Sequence, residues 1–151
     1  MRLIASLVRV WIQAQTIASA ELELGATMPS FAQFVAIRDD LFLLPDPANN
    51  SISDLHIKNI DCHGVERSRS ALLLFRLKVN NVVRLLMHFN DHEHIVDYNF
   101  DPPEPEATRP RSWHEVIPGN HLRDTDNVLT IAVQGEGSVE ISDLVVVYHS
   151  R

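Results

Sequence analysis

From Ala71 onward, apolar side chains recur at every second position, and no other feature of the sequence limits the fold so strongly. Leu73, Phe75, Leu77 and Val79 alternate with Leu72, Leu74, Arg76 and Lys78. After a turn at Asn80-Asn81, Val83, Leu85, Met87 and Phe89 alternate with Arg84, Leu86 and His88. Successive side chains of an extended chain point to opposite faces, so a period of two reads as a strand with one face in a core. Three more strands are readable: His94 to Phe100, Val128 to Gln134 with Leu129, Ile131 and Val133 inward, and Val139 to His149. Gly135-Glu136-Gly137-Ser138 joins the last two. Short strands punctuated by turn residues predict an all-β, antiparallel β-sandwich. The 151 residues fit a single domain, 1–151, long enough to bury roughly 70% of the surface its unfolded chain would expose.

The first half is less regular. In MRLIASLVRVWIQAQTIASA, Val8, Val10, Ile12 and Ala14 share one parity while Arg9, Gln13 and Gln15 share the other, which favours strands over residues 1–24. A helix through Leu3, Leu7, Val10, Ala14 and Ile17 stays open as the alternative. Arg9, Gln13 and Gln15 also break any run of ~20 apolar residues, so no membrane span is expected. Ala18-Ser19-Ala20 has the small-x-small form of a secretory cleavage site, but the same polar residues interrupt the apolar stretch such a leader needs. A cytoplasmic location is favoured, with secretion as the alternative. Pro29-Ser30 reads as the start of a short helical turn carrying Phe31 and Phe34, and Leu41 to Leu44 form an apolar run that Pro45 and Pro47 end.

A net charge of −7 from 13 basic and 20 acidic residues disfavours binding to phosphate backbones, so nucleic acid is not expected as a partner. Cys62 is the one cysteine, so no intrachain disulfide can form. Asp61 and His63 flank it, but sequence neighbours in a strand or turn rarely point the same way, and a catalytic role is not expected.

MHFNDHEHIVDYNF, residues 87–100, concentrates three histidines. If the turn centres on Asp91-His92, Met87 faces Val96 and Leu85 faces Tyr98, and Phe89 faces His94. Directly opposed residues share a face, so this register assigns His94 to the core face and His88 to the other, beside Ile95 and Asp97. A zinc site takes three or four convergent ligands. The hairpin alone would not supply them, no metal or other cofactor is expected, and any site would need distant residues such as His121 or Asp124.

The hairpin LLMHFNDHEHIVDYNF and the closing segment WHEVIPGNHLRDTDNVLTIAVQGEGSVEISDLVVVYH resemble the galactose-binding-like β-sandwich (jelly-roll) domains over about Ala71 to His149. Asp91 stands where such a turn commonly has glycine, and Asp124-Thr125-Asp126 lacks the glycine common before the residue matching Asn127. The resemblance implies a sandwich whose end loops in many members bind carbohydrate, while others are structural accessory domains. It transfers no ligand-contacting residue.

Two functions from different classes follow. The favoured one is a non-catalytic module for carbohydrate or another small polar ligand. The alternative is a structural protein acting as a homo-oligomer without such a ligand, because the second strand faces carry Leu72, Leu74 and Leu86 and need a cover. An enzyme is disfavoured: no nucleophile elbow, phosphate loop or His-Glu-x-x-His occurs. Following the strands back and forth gathers Asn80, Asn81, Arg109, Arg111, Trp113 and Glu136 at one end of the sandwich. Amide, guanidinium and aromatic groups suit the hydroxyls and C–H faces of a sugar, so these six are the candidate ligand-binding residues. Trp113, near the first position of a strand, also reads as an edge of the core.

Overall fold

The computed structural model describes residues 30–45, 54–101 and 109–151. The expectations for residues 1–24 and for the turn after Pro45 lie outside them. Nine strands occur among the described residues: β1 (Phe31–Arg38), β2 (Phe42–Leu44), β3 (Asp54–Ile60), β4 (Ala71–Asn80), β5 (Val83–Phe89), β6 (Val96–Phe100), β7 (Arg111–Ile117), β8 (Asn127–Gly135) and β9 (Ser138–Ser150). They form two antiparallel sheets. Sheet A has the order β1-β9-β4-β7, with β2 also on β9; sheet B has the order β3-β8-β5-β6. The expected antiparallel sandwich is the observed fold.

The alternation explains the core. Leu73, Phe75 and Leu77 of sheet A meet Val83, Leu85, Met87, Phe89, Leu129, Ile131 and Val133 of sheet B, all almost fully buried. Each such side chain contributes about 1.5–3 kcal/mol relative to exposure. Along β9 the inward residues are Val139 and Ile141, then Leu144, Val146 and Tyr148. The change of parity has a visible cause. Asp143 takes a left-handed φ of 55°, and β9 has two residues where β4 has only Phe75 between the pairs Leu74↔Val145 and Arg76↔Ser142. This β-bulge keeps both halves of the longest strand facing the core.

Five non-glycine residues have positive φ, namely Asn59, Asn81, Asn90, Asp126 and Asp143. All are Asn or Asp, the side chains that tolerate this region best. Asn90 and Asp126 thus hold left-handed backbone in their turns without a glycine.

Two expectations are corrected. Residues 31–38 form strand β1, not a helical turn, because Phe31 to Ala36 pair residue by residue with Ser150 to Val145 of β9. The three-residue spacing of Phe31 and Phe34 mimics a helix, but the two rings lie on opposite faces of an edge strand, 58% and 72% exposed. The second correction concerns His94. Met87↔Val96 and Leu85↔Tyr98 pair as expected, yet the Ile95 amide also donates to the Met87 carbonyl at 2.8 Å. Two residues therefore oppose one, and this bulge reverses the parity of everything before it. His94 lies exposed on the outer face with His88, their ring centroids 5.1 Å apart, and not in the core with Phe89.

Candidate functional site

Four cross-strand rows cover the outer face of sheet A, and they grade from charged to apolar. Nearest the Asn80 end, Lys78 of β4 faces Glu140 of β9 and donates to its carboxylate at 2.7 Å. That hydrogen bond is the main reason the Glu140 carboxyl is held below the ordinary glutamate range. In the next row Arg76 lies between Ser142 of β9 and Ser112 of β7, with its guanidinium 3.9 Å from the bulged Asp143. The third row is Ala36, Val145, Leu74 and His114. In the fourth, Phe34, Val147, Leu72 and Val116 cross all four strands.

Two shallow depressions adjoin on the charged half and share Arg76. One, about 180 Å³, lies among Leu41, Leu77, Lys78, Pro110, Glu140 and Ser142. The other, about 360 Å³, is lined by Leu74, Ser112, Trp113, His114, Asp143 and Val145, with Phe75. Leu41 and Pro110 wall the first, and the Asp143 bulge bends β9 beside the second. Guanidinium, ammonium, carboxylate, hydroxyl and imidazole groups thus surround an apolar floor. That combination can orient a polar molecule while desolvating one of its faces.

The six residues singled out from the sequence sit around the same end but do not form one surface. Asn80 ends β4, faces Ser138, and donates to the Ser138 hydroxyl at 3.5 Å and to Glu140 at 3.3 Å, so it borders the charged row. Asn81 accepts a hydrogen bond from the Val82 amide at 2.8 Å. Glu136 follows β8 in the connection whose Gly137 amide donates to the Val82 carbonyl at 2.9 Å. Arg109 and Arg111 are exposed at the start of β7, with no ion pair among the described residues.

Trp113 turns the other way. It faces the buried Phe75, so its ring belongs to the inner layer at the lateral edge between β7 and β6. There it meets Phe100 and Tyr98, with centroids 5.7 Å from each, and donates to Glu115 at 2.6 Å. The same carboxylate hydrogen-bonds the Tyr98 hydroxyl and raises its pKa.

Sequence reasoning placed Arg76 and Lys78 on the outward parity of β4 but gave them no role. Their partners Glu140, Ser142 and Asp143 come from β9, more than sixty residues later, and only the β4–β9 register brings them together.

The opposite end is tied by buried amides. Asn127, fully buried, donates to the Ile60 carbonyl at 2.8 Å and the Arg123 carbonyl at 2.7 Å, and accepts from the Arg123 amide at 2.7 Å. Asn90 donates to Asn127 Oδ1 at 3.1 Å and to the His121 carbonyl at 2.8 Å, and accepts from the Val128 amide at 3.1 Å. His92 stacks on His121 at 4.3 Å. Asp124 accepts from the Gly64 amide, and Cys62 is fully buried. Burial, with Asp61 and Asp124 nearby, pushes the Cys62 thiol up to about 11, so it stays protonated at neutral pH. Among the described residues no group of three or more His, Cys, Asp or Glu side chains converges as a metal site, and no helix is long and apolar enough to cross a membrane.

No protein-family model and no curated protein sequence matches the chain. Similarity appears at the level of solved structures. Dimeric latent PorU from Porphyromonas gingivalis superposes over 83% of this chain and 14% of its own with a TM-score of 0.59 at 12% identity, a likeness of fold. The chain thus spans a small part of that protein. A glycoside hydrolase family 43 arabinoxylan arabinofuranohydrolase from Bacillus subtilis aligns over 79% of this chain and 27% of its own, with a TM-score of 0.43 and 11% identity. A family 29 carbohydrate-binding module aligns over 79% of this chain and 86% of its own, with a TM-score of 0.39 and 10% identity.

Proposed function

We propose that this chain is a non-catalytic binding module of galactose-binding-like type that holds a small hydroxyl-rich ligand, a carbohydrate in the first instance, on the charged half of the outer face of sheet A. The observation that supports this reading is the pair of adjoining depressions that share Arg76. The Arg76 guanidinium is half exposed and only loosely paired with Asp143, so its planar donors are available to hydroxyls. Glu140, Asp143, Ser112 and Ser142 supply acceptors and hydroxyls, and Leu74 and Val145 offer an apolar floor for the C–H face of a ring. Asn80 borders this site through its hydrogen bond to Glu140, and Asn81, Arg109, Arg111 and Glu136 lie around the same end of the sandwich. Trp113 supports it from beneath and does not stack on the ligand.

The test is a calorimetric screen of mono- and oligosaccharides, repeated with Arg76→Ala, Arg111→Ala and Trp113→Ala. Binding that weakens at least tenfold in Arg76→Ala, about 1.4 kcal/mol or more, supports the groove. Binding lost only in Arg111→Ala and Trp113→Ala would move the site to the end loops.

The row Phe34, Val147, Leu72 and Val116 favours a second reading, assembly with another copy through this face. Phe34 is 72% and Val116 54% exposed, an apolar band that water solvates poorly. Light scattering that gives the mass of one chain at all accessible concentrations would remove that reading.

A further inference from the structure

At the Asn127 end of the sandwich, the tip of the hairpin between β5 and β6 rests on the short 3-10 turn Gly119–His121. Unlike contacts join the two. The Asn90 side chain donates to the His121 carbonyl at 2.8 Å, and the exposed His92 ring lies flat on the half-buried His121 ring, with centroids 4.3 Å apart and planes 4° apart. Arg123 and Asp91 add an exposed ion pair at 3.9 Å, which contributes little. Only the turn is firmly seated. A Cβ added at Gly119 would run into the Arg67 and Arg69 carbonyl oxygens, so that backbone packs directly against it, and Leu122, which follows the turn, is fully buried. Asp91, His92 and Glu93 are all exposed. Of the two partners, the hairpin tip is the one free to move.

We infer that the stacked His92 and His121 rings form an acid-released clasp, in which protonation of His121 lifts residues 91–93 off the Gly119–His121 turn. His121 Nδ1 is buried and has no hydrogen-bond partner among the described residues. A neutral imidazole accommodates this by carrying its proton on Nε2 and leaving a lone pair at Nδ1. An imidazolium carries a proton on both nitrogens, so charging His121 places an N–H donor where no acceptor lies, and an unsatisfied buried donor is costly. Once His92 is protonated as well, two like charges lie face to face. The titratable and charged groups around the ring are His92 and Glu93 of the hairpin, the Arg123–Asp91 pair, and Arg67, which donates to the Asn120 carbonyl at 3.1 Å. Burial first and His92 second hold the His121 pKa below the ordinary histidine value, and Glu93 offsets only part of this. Lifting the tip lets water reach Nδ1 and returns the ring to about 6.5. Because the folded value is the lower one, the clasp is complete above pH ~6.5 and is lost as pH falls through the folded value.

The test is hydrogen exchange of the untagged full chain between pH ~7.5 and ~5, with each rate divided by the intrinsic rate at that pH. In wild type the His92 amide, bonded to the Phe89 carbonyl, loses protection below pH ~6.5, by at most roughly tenfold per pH unit because one proton is taken up. The Gly137 amide at the other end, bonded to the Val82 carbonyl, keeps its protection. His121→Phe preserves a flat ring in the stack and cannot be charged, so the pH dependence disappears. His88→Phe, on the outer face of sheet B, leaves it in place. Protection that is independent of pH in wild type, or a dependence that survives in His121→Phe or is lost in His88→Phe, overturns the inference. Should His121→Phe not fold, wild type decides by nuclear magnetic resonance: the Asn90 side-chain amide, which bonds the His121 carbonyl, shifts with the same midpoint as the His121 ring. An Asn90 amide that stays fixed while that ring titrates contradicts the clasp.

Discussion

At the Asn127 end of the sandwich, three loops are fastened to one another by side chains that water cannot reach, whereas at the Asn80 end the connections meet through backbone and leave charged side chains on the surface. Asn90 and Asn127 join the hairpin after β5, the connection before β8 and the end of β3 through hydrogen bonds of 2.7–3.1 Å. At the other end, Gly137 reaches the Val82 carbonyl by a backbone bond, and Lys78, Glu140, Arg76 and Asp143 pair across the open face. Buried polar networks fix conformation because each unsatisfied member is costly, while surface ion pairs contribute little and stay free to exchange partners. The amide-tied end therefore holds the fold, and the charged end is the one with groups to offer a ligand.

The largest expected effect is at Asn127. Asn127→Ala removes four hydrogen bonds and orphans the Ile60 and Arg123 carbonyls. The cost is about 3–5 kcal/mol by urea denaturation; a loss below ~1 kcal/mol would break the contrast between the ends. Next comes Gly137, where an added Cβ would meet the Asn80 carbonyl oxygen at 2.4 Å and that of Val82 at 2.8 Å. Gly137→Ala should cost about 1–3 kcal/mol and also disturb the groove, whose margin Asn80 forms.

Arg76→Ala should change stability by less than about 0.5 kcal/mol while weakening the sugar binding proposed above. A large stability loss there would make Arg76 a structural residue and sharpen the comparison in the opposite direction. The smallest effect concerns pH. Glu140 has a lowered carboxyl pKa in the folded chain, first through its bond from Lys78. A depressed folded value means the pair's contribution is complete above the unfolded glutamate value of ~4.3 and is lost as pH falls through the lower folded value. Glu140→Gln should flatten that acid limb by about 0.5–1 kcal/mol and leave stability near pH 7 reduced by the same small amount.

The strands from Ala71 onward and most of the core were legible because period two is a local property that each strand carries by itself. Leu73, Phe75, Leu85, Met87, Leu129 and Ile131 are inward as their spacing requires. Bulges were not legible. A single inserted residue at Ile95 or Asp143 leaves composition unchanged yet exchanges the faces beyond it, which is why His94 appeared to belong in the core. β1 was hidden for a related reason: as an edge strand it exposes apolar residues on both faces, so Phe31 and Phe34 imitate helical spacing. The groove was hidden because its two halves, on β4 and β9, meet only through long-range pairing that no stretch of sequence announces.

The most direct test of the central claim is a nitrogen-15 heteronuclear correlation titration with an oligosaccharide that binds in the screen. The groove account predicts that the shifts concentrate at Arg76, Lys78, Ser112, His114, Glu140, Ser142 and Asp143, while the amides of 90–94 and 118–127 stay fixed. Shifts that gather instead around Asn90, His121 and Asn127, with the Arg76 to Asp143 face unmoved, would contradict it.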